Sequence, residues 1–258
     1  MTETGHRSLT ISQIPCKEAS TKDWSGKDLV GKNFDGQDLS EYDFSEADLS
    51  EASLQGADCS HASFYRTRMR EAQASKARFR EADLEEANLS DSVFQEADFT
   101  SANLEGADLR RADFTRADLS LTNMTGVYMN DARLEKACLR EADLKAADLR
   151  QADLSGADLT GADLSYSNLE GIRLTGANLK DADFTGAHLK NAHLNQADLS
   201  GADFSECDIT GADFTDALHL DCSQIESALF EKDSTRFPHY IQLQWTTAEN
   251  YECRCITE

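Results

Sequence analysis

The chain has 258 residues and carries 48 acidic against 25 basic side chains, a formal net charge of −23. This balance excludes a non-specific nucleic-acid binder, which needs clustered Lys and Arg to neutralise phosphates, and it disfavours docking on an anionic membrane surface. No run of 18 apolar residues is present, so we expect no membrane span.

Residues 1–22 are polar and carry no repeat, and we expect them to form a flexible N-terminal arm. They lack the apolar segment of a secretory signal, so the cytoplasm is the expected compartment. The seven cysteines are odd in number and scattered, which favours reduced thiols over a disulfide framework.

Residues 23–215 repeat with a period of five. From Leu29 to Phe214 an apolar residue, here called the centre, recurs in 38 consecutive quintets such as EADLS, GADLT and RADFT, and it is large in all of them except at Cys59 and Ala74. Ala stands two positions before the centre in 27 quintets. The residue directly before the centre is Asp in 20 quintets and Asn in 6. A repeat of this regularity predicts a solenoid in which neighbouring units stack.

A period of five fits neither an α-helix nor a flat β-strand. Five residues of α-helix rotate a centre by about 140° net, which would scatter the apolar side chains around the helix. In a flat strand, an odd period would send successive centres to opposite faces. A chain that turns one corner per quintet points every centre inward, and its coils stack at about 4.8 Å as a β-solenoid.

The pattern A-[D/N]-[L/F]-x-x resembles the pentapeptide-repeat proteins over about three-quarters of the chain. The resemblance implies an all-β fold, a right-handed quadrilateral β-helix with four quintets per coil. The 38 quintets would then give about nine to ten coils and a rod about 45 Å long. No loop interrupts the quintets, unlike in some members of the family.

Residues separated by 20 positions should stack in columns, and two such columns are strongly acidic. We regard them as candidate partner-binding surfaces. Their members are Asp143, Asp163, Asp183 and Asp203 in one column and Asp98, Asp118, Asp158 and Asp198 in the adjacent one. Asp before a centre can also hydrogen-bond local backbone, which explains its abundance without any function.

About one coil of the rod carries a cluster of basic residues. A candidate basic belt consists of Arg66, Arg68, Arg70, Lys76, Arg78 and Arg80. The simplest interpretation of the belt is charge balance that keeps the rod soluble.

Residues 216–258 leave the repeat, and we expect an irregular last coil followed by a cap. Leu220, Ile225 and Phe230 lie one residue later than the period requires, which predicts one inserted residue near Leu218. The alternation of Ile241, Leu243 and Trp245 with polar residues predicts a strand. The candidate cap surface comprises Phe230, Phe237, Tyr240, Ile241, Leu243 and Trp245. Its alternative role is a homodimer interface, as in some relatives.

Signs of catalysis are weak, and we expect neither an enzyme nor a cofactor. Repeated, nearly equivalent Asp residues on a convex surface do not make the distinct pocket that acid–base chemistry needs. His219, Cys222, Cys253 and Cys255 have the chemistry of zinc ligands but no standard spacing. We expect free thiols there, with a metal site or a disulfide as alternatives.

These observations predict a non-catalytic protein-binding scaffold with an acidic, rod-shaped surface and an unknown protein partner. Residues 24–215 contain 19 basic and 37 acidic residues, a net charge of −18. Spread along the expected rod of about 45 Å, this charge has about two-thirds of the linear density of B-DNA. The family resemblance adds an alternative, since some members mimic DNA and bind DNA gyrase or another type II topoisomerase, inhibiting or protecting it. We expect no direct nucleic-acid or membrane binding, and a monomer or a C-terminal homodimer.

Overall fold

The computed structural model describes residues 22–247 and 250–256. Residues directly before the centres form parallel β-bridges with the residue 20 positions later, from Asp23 with Asp43 to Asp198 with Leu218. Four quintets therefore complete one coil, and the predicted right-handed quadrilateral β-helix is confirmed. The predicted N-terminal arm, residues 1–22, lies outside the described residues except for Lys22.

Each corner of the square is a four-residue turn. In one example the amide of Ala47 donates to the carbonyl of Phe44 at 2.9 Å, and Glu46 at the corner has φ of +61°. A positive φ at this position is typical of a type II turn. The coils are joined by backbone hydrogen bonds such as that from the Phe44 amide to the Ser63 carbonyl, 2.7 Å long.

The centres form a continuous dry core along the rod. Aromatic centres 20 residues apart lie face to face, with ring centroids 5.1 Å apart for Phe44 and Phe64 and again for Phe184 and Phe204. The stacking confirms that residues 20 apart share a column. Burial of each Leu or Phe contributes about 1.5–3 kcal/mol to stability.

Hydroxyl residues replace the buried Ala at four positions without leaving an unpaired polar atom. They are Thr67, Ser92, Thr122 and Ser167. Each hydroxyl donates to a main-chain carbonyl, as Thr67 Oγ1 does to Phe44 at 2.6 Å and Thr122 Oγ1 to Leu119 at 2.7 Å. Among the described residues, every buried side-chain nitrogen or oxygen has a partner, which removes the usual cost of burying such groups.

After Leu218 the coil loses its regular spacing. The bridge from Asp208 to Leu229 spans 21 residues instead of 20, so one residue is inserted between Leu218 and Leu229. Leu220 and Ile225 are buried while His219 is exposed, as the shifted phase predicts.

Three short elements occupy the C-terminal region: α1 Cys222–Glu226, β1 Ile241–Trp245 and β2 Tyr251–Cys255. Strands β1 and β2 pair antiparallel, with Leu243 opposite Cys253. None of the helices described in residues 22–247 and 250–256 has the length and apolarity to cross a membrane.

Candidate protein-binding surface

The Asp residues before the centres stabilise the backbone with one of their two oxygens. Oδ1 of Asp163 accepts a hydrogen bond from the amide of Ser165 at 2.9 Å, and Oδ1 of Asp183 accepts one from Thr185 at 2.8 Å. Such bonds close an Asx turn, as the sequence pattern suggests. Local structure thus explains why Asp or Asn is placed here. Oδ2 of Asp163 and of Asp183 has no hydrogen-bond partner among the described residues.

Charge is distributed unequally around the rod. The side with centres Phe44 to Phe204, counted as the residue before each centre and the two after it, holds 11 acidic and 2 basic residues, a net charge of −9. We call it the acidic face. The opposite side, with centres Leu54 to Phe214, holds 6 acidic and 5 basic residues, a net charge of −1. We call it the balanced face.

The first predicted acidic column runs along the acidic face. Parallel bridges connect Asp143 to Asp163, Asp163 to Asp183 and Asp183 to Asp203 without interruption. Within residues 22–247 and 250–256 these four carboxylates form no ion pair. Like charges one coil apart repel by about 1 kcal/mol even in water, so this stretch concentrates unneutralised charge.

The second predicted column is partly neutralised. Cys138 and Asn178 interrupt it, and three of its members are paired with Arg80, Arg140 and His219 respectively: Asp98, Asp158 and Asp198. The Ser200 hydroxyl and the His219 ring hydrogen-bond to Asp198 and, despite its partial burial, hold the pKa of this carboxyl below its ordinary value. Of the four predicted members, only Asp118 has no charged partner among the described residues.

All six cations of the predicted basic belt are paired with acids. Most of the bonds connect neighbouring coils, such as Arg66 to Glu86 at 2.6 Å, Arg68 to Asp48 at 3.0 Å and Arg78 to Asp58 at 3.2 Å. The remaining members bind Glu71 and Asp91 (Arg70), Glu96 (Lys76) and Asp98 (Arg80). The belt cross-links coils through exposed ion pairs, each worth about 0–1 kcal/mol.

The aromatic side chains after the solenoid pack onto its last coil. The ring of Phe237 is stacked on Phe214 with centroids 6.0 Å apart, and Phe230 contacts Phe237 edge-on at 5.3 Å. Tyr240 and Leu243 also pack against the core, Ile241 is buried, and Trp245 contacts Phe230 and Tyr251. This places the six candidate residues over the end of the core; their role as a dimer interface stays a prediction.

The expectation of free thiols at the C-terminus is wrong for two cysteines. Cys222 and Cys253 form a disulfide, with Cα atoms 5.5 Å apart, because β2 folds back against α1. Cys255 is a free, exposed thiol, and His219 is bonded to Asp198 through Nδ1 at 2.8 Å. Within the described ranges no group of three or more His, Cys, Asp or Glu is arranged to hold a metal ion.

A family model of pentapeptide repeats matches eight copies across residues 43–216, in the overlapping stretches 43–80, 77–116, 107–145, 137–176 and 177–216. The chain belongs to the pentapeptide-repeat family. Its predicted membership and fold are therefore both confirmed.

Three solved pentapeptide-repeat structures are similar to the chain. HetL, involved in heterocyst differentiation regulation in the cyanobacterium Nostoc sp. strain PCC 7120, is 29% identical over 91% of this chain and 98% of its own, with a TM-score of 0.42. QnrB1, a plasmid-mediated fluoroquinolone resistance protein, is 16% identical over 81% and 92%, with a TM-score of 0.50.

Rfr23 from the cyanobacterium Cyanothece 51142 is 41% identical over 35% of this chain and 58% of its own, with a TM-score of 0.32. No curated protein matches the chain in sequence. The likeness to QnrB1 bears on the fold alone.

Proposed function

We propose that this pentapeptide-repeat protein is a non-catalytic scaffold that binds a cationic surface of a protein partner through its acidic face. The observation that carries the proposal is the unbroken column of Asp143, Asp163, Asp183 and Asp203, which has no ion pair in the described chain. On the other sides some of the acids are ion-paired, such as Asp98 with Arg80 and Asp158 with Arg140, whereas these four have no cationic partner among the described residues.

The arrangement suits a long, groove-shaped cationic partner. Oδ1 of Asp163 and Asp183 is committed to the backbone, which fixes each carboxylate in direction and leaves Oδ2 for a partner. A rigid row of charges loses little conformational entropy on binding, which favours affinity. Opposed charge also speeds the encounter and makes it sensitive to salt.

A DNA mimic that binds a type II topoisomerase is the alternative form of the same proposal. The rod carries about two-thirds of the linear charge of B-DNA, and its acids are regularly spaced by the coil. QnrB1 shares the fold and is a fluoroquinolone resistance protein. A partner of this kind would place the protein in the cytoplasm.

The first test compares two triple variants that remove the same charge from opposite faces. Asp163→Asn, Asp183→Asn and Asp203→Asn neutralise the acidic face while preserving an acceptor at Oδ1. Asp113→Asn, Asp153→Asn and Asp216→Asn remove the same charge from the balanced face. Binding of an Arg- and Lys-rich peptide of about 20 residues, measured at several salt concentrations, should weaken about tenfold for the first variant only. Equal weakening by both variants would overturn the role of the acidic face.

A supercoiling assay with DNA gyrase tests the alternative. Micromolar protein should inhibit the enzyme or rescue it from a fluoroquinolone, and the acidic-face variant should lose the effect while the balanced-face variant retains it. If the protein has no effect on gyrase, the topoisomerase form of the proposal is wrong. The peptide experiment then decides the scaffold function by itself.

A further inference from the structure

Three cysteine sulfurs meet where the C-terminal strands cover the last coil. Sγ of Cys222 is bonded to Sγ of Cys253 and lies 3.5 Å from Sγ of Cys255. Cys253 and Cys255 are two residues apart in β2 and therefore project from the same face of the strand. Cys222 thus lies within reach of two alternative partners.

The protein holds Cys222 firmly against the end of the solenoid. It begins α1, whose N-cap Asp221 accepts a hydrogen bond from the amide of Gln224. The Gln224 side chain in turn donates to the carbonyls of Leu199 and Ala202 at 2.9 and 2.8 Å. The central sulfur is therefore anchored to the last regular coil.

The strand that carries the other two sulfurs is also fixed. β2 pairs with β1 along its whole length, and the amide of Ile256 donates to the carbonyl of Tyr240 at 2.8 Å. The Tyr240 hydroxyl donates to the carbonyl of Ala217 at 2.7 Å. Both alternative partners of Cys222 are thus held beside it by the same cap.

We propose that Cys222, Cys253 and Cys255 form a thiol–disulfide exchange site in which Cys222 is the shared sulfur. The Cys255 thiol loses its proton, and the thiolate attacks Sγ of Cys222. The bond between Cys222 and Cys255 forms as the bond between Cys222 and Cys253 breaks. The electron pair passes to Sγ of Cys253, which takes up a proton, so the exchange needs neither oxidant nor reductant.

The two disulfide forms differ in the thiol that they expose. In the form described here the free thiol is the exposed Cys255, whereas Cys253 is half-buried against the core. Exchange would leave the sheltered sulfur free and move the exposed one into the disulfide. The site would thereby switch an accessible thiol on and off at the capped end of the rod, since thiol reactivity depends on access.

Trypsin separates the two forms, because Arg254 lies between the competing cysteines. Cleavage after Lys190, Lys232, Arg236 and Arg254 places Cys222 in 191–232 together with the buried Cys207, Cys253 in 237–254 and Cys255 in 255–258, and fragment ions of 191–232 distinguish its two cysteines. The full-length protein, oxidised with oxidised glutathione and freed of it, is incubated at pH 8 and alkylated with N-ethylmaleimide. Mass spectrometry of the acid-quenched digest then shows which peptide is linked to 191–232.

We expect both linkages in the wild type, each with the label on the other cysteine. Cys253→Ser should form the Cys222–Cys255 disulfide, and Cys255→Ser should form the Cys222–Cys253 disulfide alone. Cys138→Ser, which removes a thiol outside the cluster, should behave as the wild type.

Two results would overturn the exchange site. One is label on Cys255 alone throughout a day of incubation of the wild type. The other is a Cys253→Ser protein with a wild-type circular dichroism spectrum whose Cys222 and Cys255 both remain open to alkylation.

Discussion

The ring of Tyr166 lies across the corner at Gly186, one coil further along the rod. A Cβ added at residue 186 would stand 2.9 Å from Cδ1 and Cε1 of that ring. Nζ of Lys145 is 5.7 Å from the ring centroid, within the range of a cation–π interaction. A side chain at one corner can therefore cover the corner of the next coil, which restricts the residue allowed there.

Gly186→Ala should destabilise the protein more than Gly176→Ala. Both glycines have a φ near +65°, and a Cβ in that conformation costs about 1–2 kcal/mol. Only residue 186 also has Tyr166 in the way, whereas nothing lies within 4 Å of a Cβ at 176. Urea denaturation should show the difference, and adding Tyr166→Ala should remove it. Equal losses for the two single variants would contradict this assignment.

Asp163→Ala should lower the free energy of unfolding by about 0.5–1.5 kcal/mol, because the Ser165 amide loses its acceptor. Asp163→Asn should leave stability unchanged or raise it, since it preserves Oδ1 and relieves repulsion from Asp143 and Asp183. Urea midpoints of the two variants provide the measurement. A loss as large for Asn as for Ala would show that charge, and not the turn, matters at this position.

Leu144→Ala should cost about 2–5 kcal/mol, because its side chain is fully buried in the core column and the coils above and below cannot collapse into the space. Leu121→Ala is a matched control on the surface, since Leu121 is 53% exposed. Its effect should stay within about 0.5 kcal/mol. Thermal unfolding followed by circular dichroism would reveal the contrast, and comparable effects of both variants would contradict a dry interior.

Acid should weaken the attachment of the C-terminal cap through Asp213. Burial raises the pKa of Asp213, but hydrogen bonds from Thr215, Asn195 and Arg236 outweigh it and lower the pKa to about 2 from 3.8. A depressed pKa in the folded state gives stability that is present above about pH 4 and lost as the pH falls through about 2. The shift corresponds to about 2 kcal/mol.

Asp213→Asn tests this pH dependence. In a Trp24→Phe background, the fluorescence of Trp245 reports on the cap during urea unfolding. Both proteins compared carry that background, and one also carries Asp213→Asn. Their difference in stability should be largest near pH 6 and decline toward zero as the pH falls through about 2. A difference that is constant with pH would show that ionisation of Asp213 does not contribute.

Periodicity and the family resemblance together predict nearly everything that repeats. The sequence shows the period of five, and the four quintets per coil implied by the resemblance give the interval of 20 residues that places Phe184 above Phe204 and Asp163 above Asp183. The same interval also contains the ion pairs of the basic belt, because Arg68 follows Asp48 by 20 residues and Arg66 precedes Glu86 by 20. Composition alone suggests only charge balance for the belt. It does not show that the ion pairs of the belt join neighbouring coils.

The cap could not be predicted to the same depth, because it has no period. The disulfide joins residues 31 positions apart, and their approach depends on how the pair of β1 and β2 lies on the last coil. The position of Gln224, which bonds to the carbonyls of Leu199 and Ala202, likewise depends on tertiary packing. Local sequence rules carry no information about such contacts.

The square cross-section also limits how such a chain can change its length. Duplication or deletion of one quintet between Asp163 and Asp183 would rotate all later residues by a quarter turn around the rod. Asp183 and Asp203 would then no longer stand above Asp163. Only gain or loss of whole coils would extend or shorten the acidic stripe while keeping it straight. The reach of the molecule can therefore be tuned in steps of about 4.8 Å, by evolution or by design.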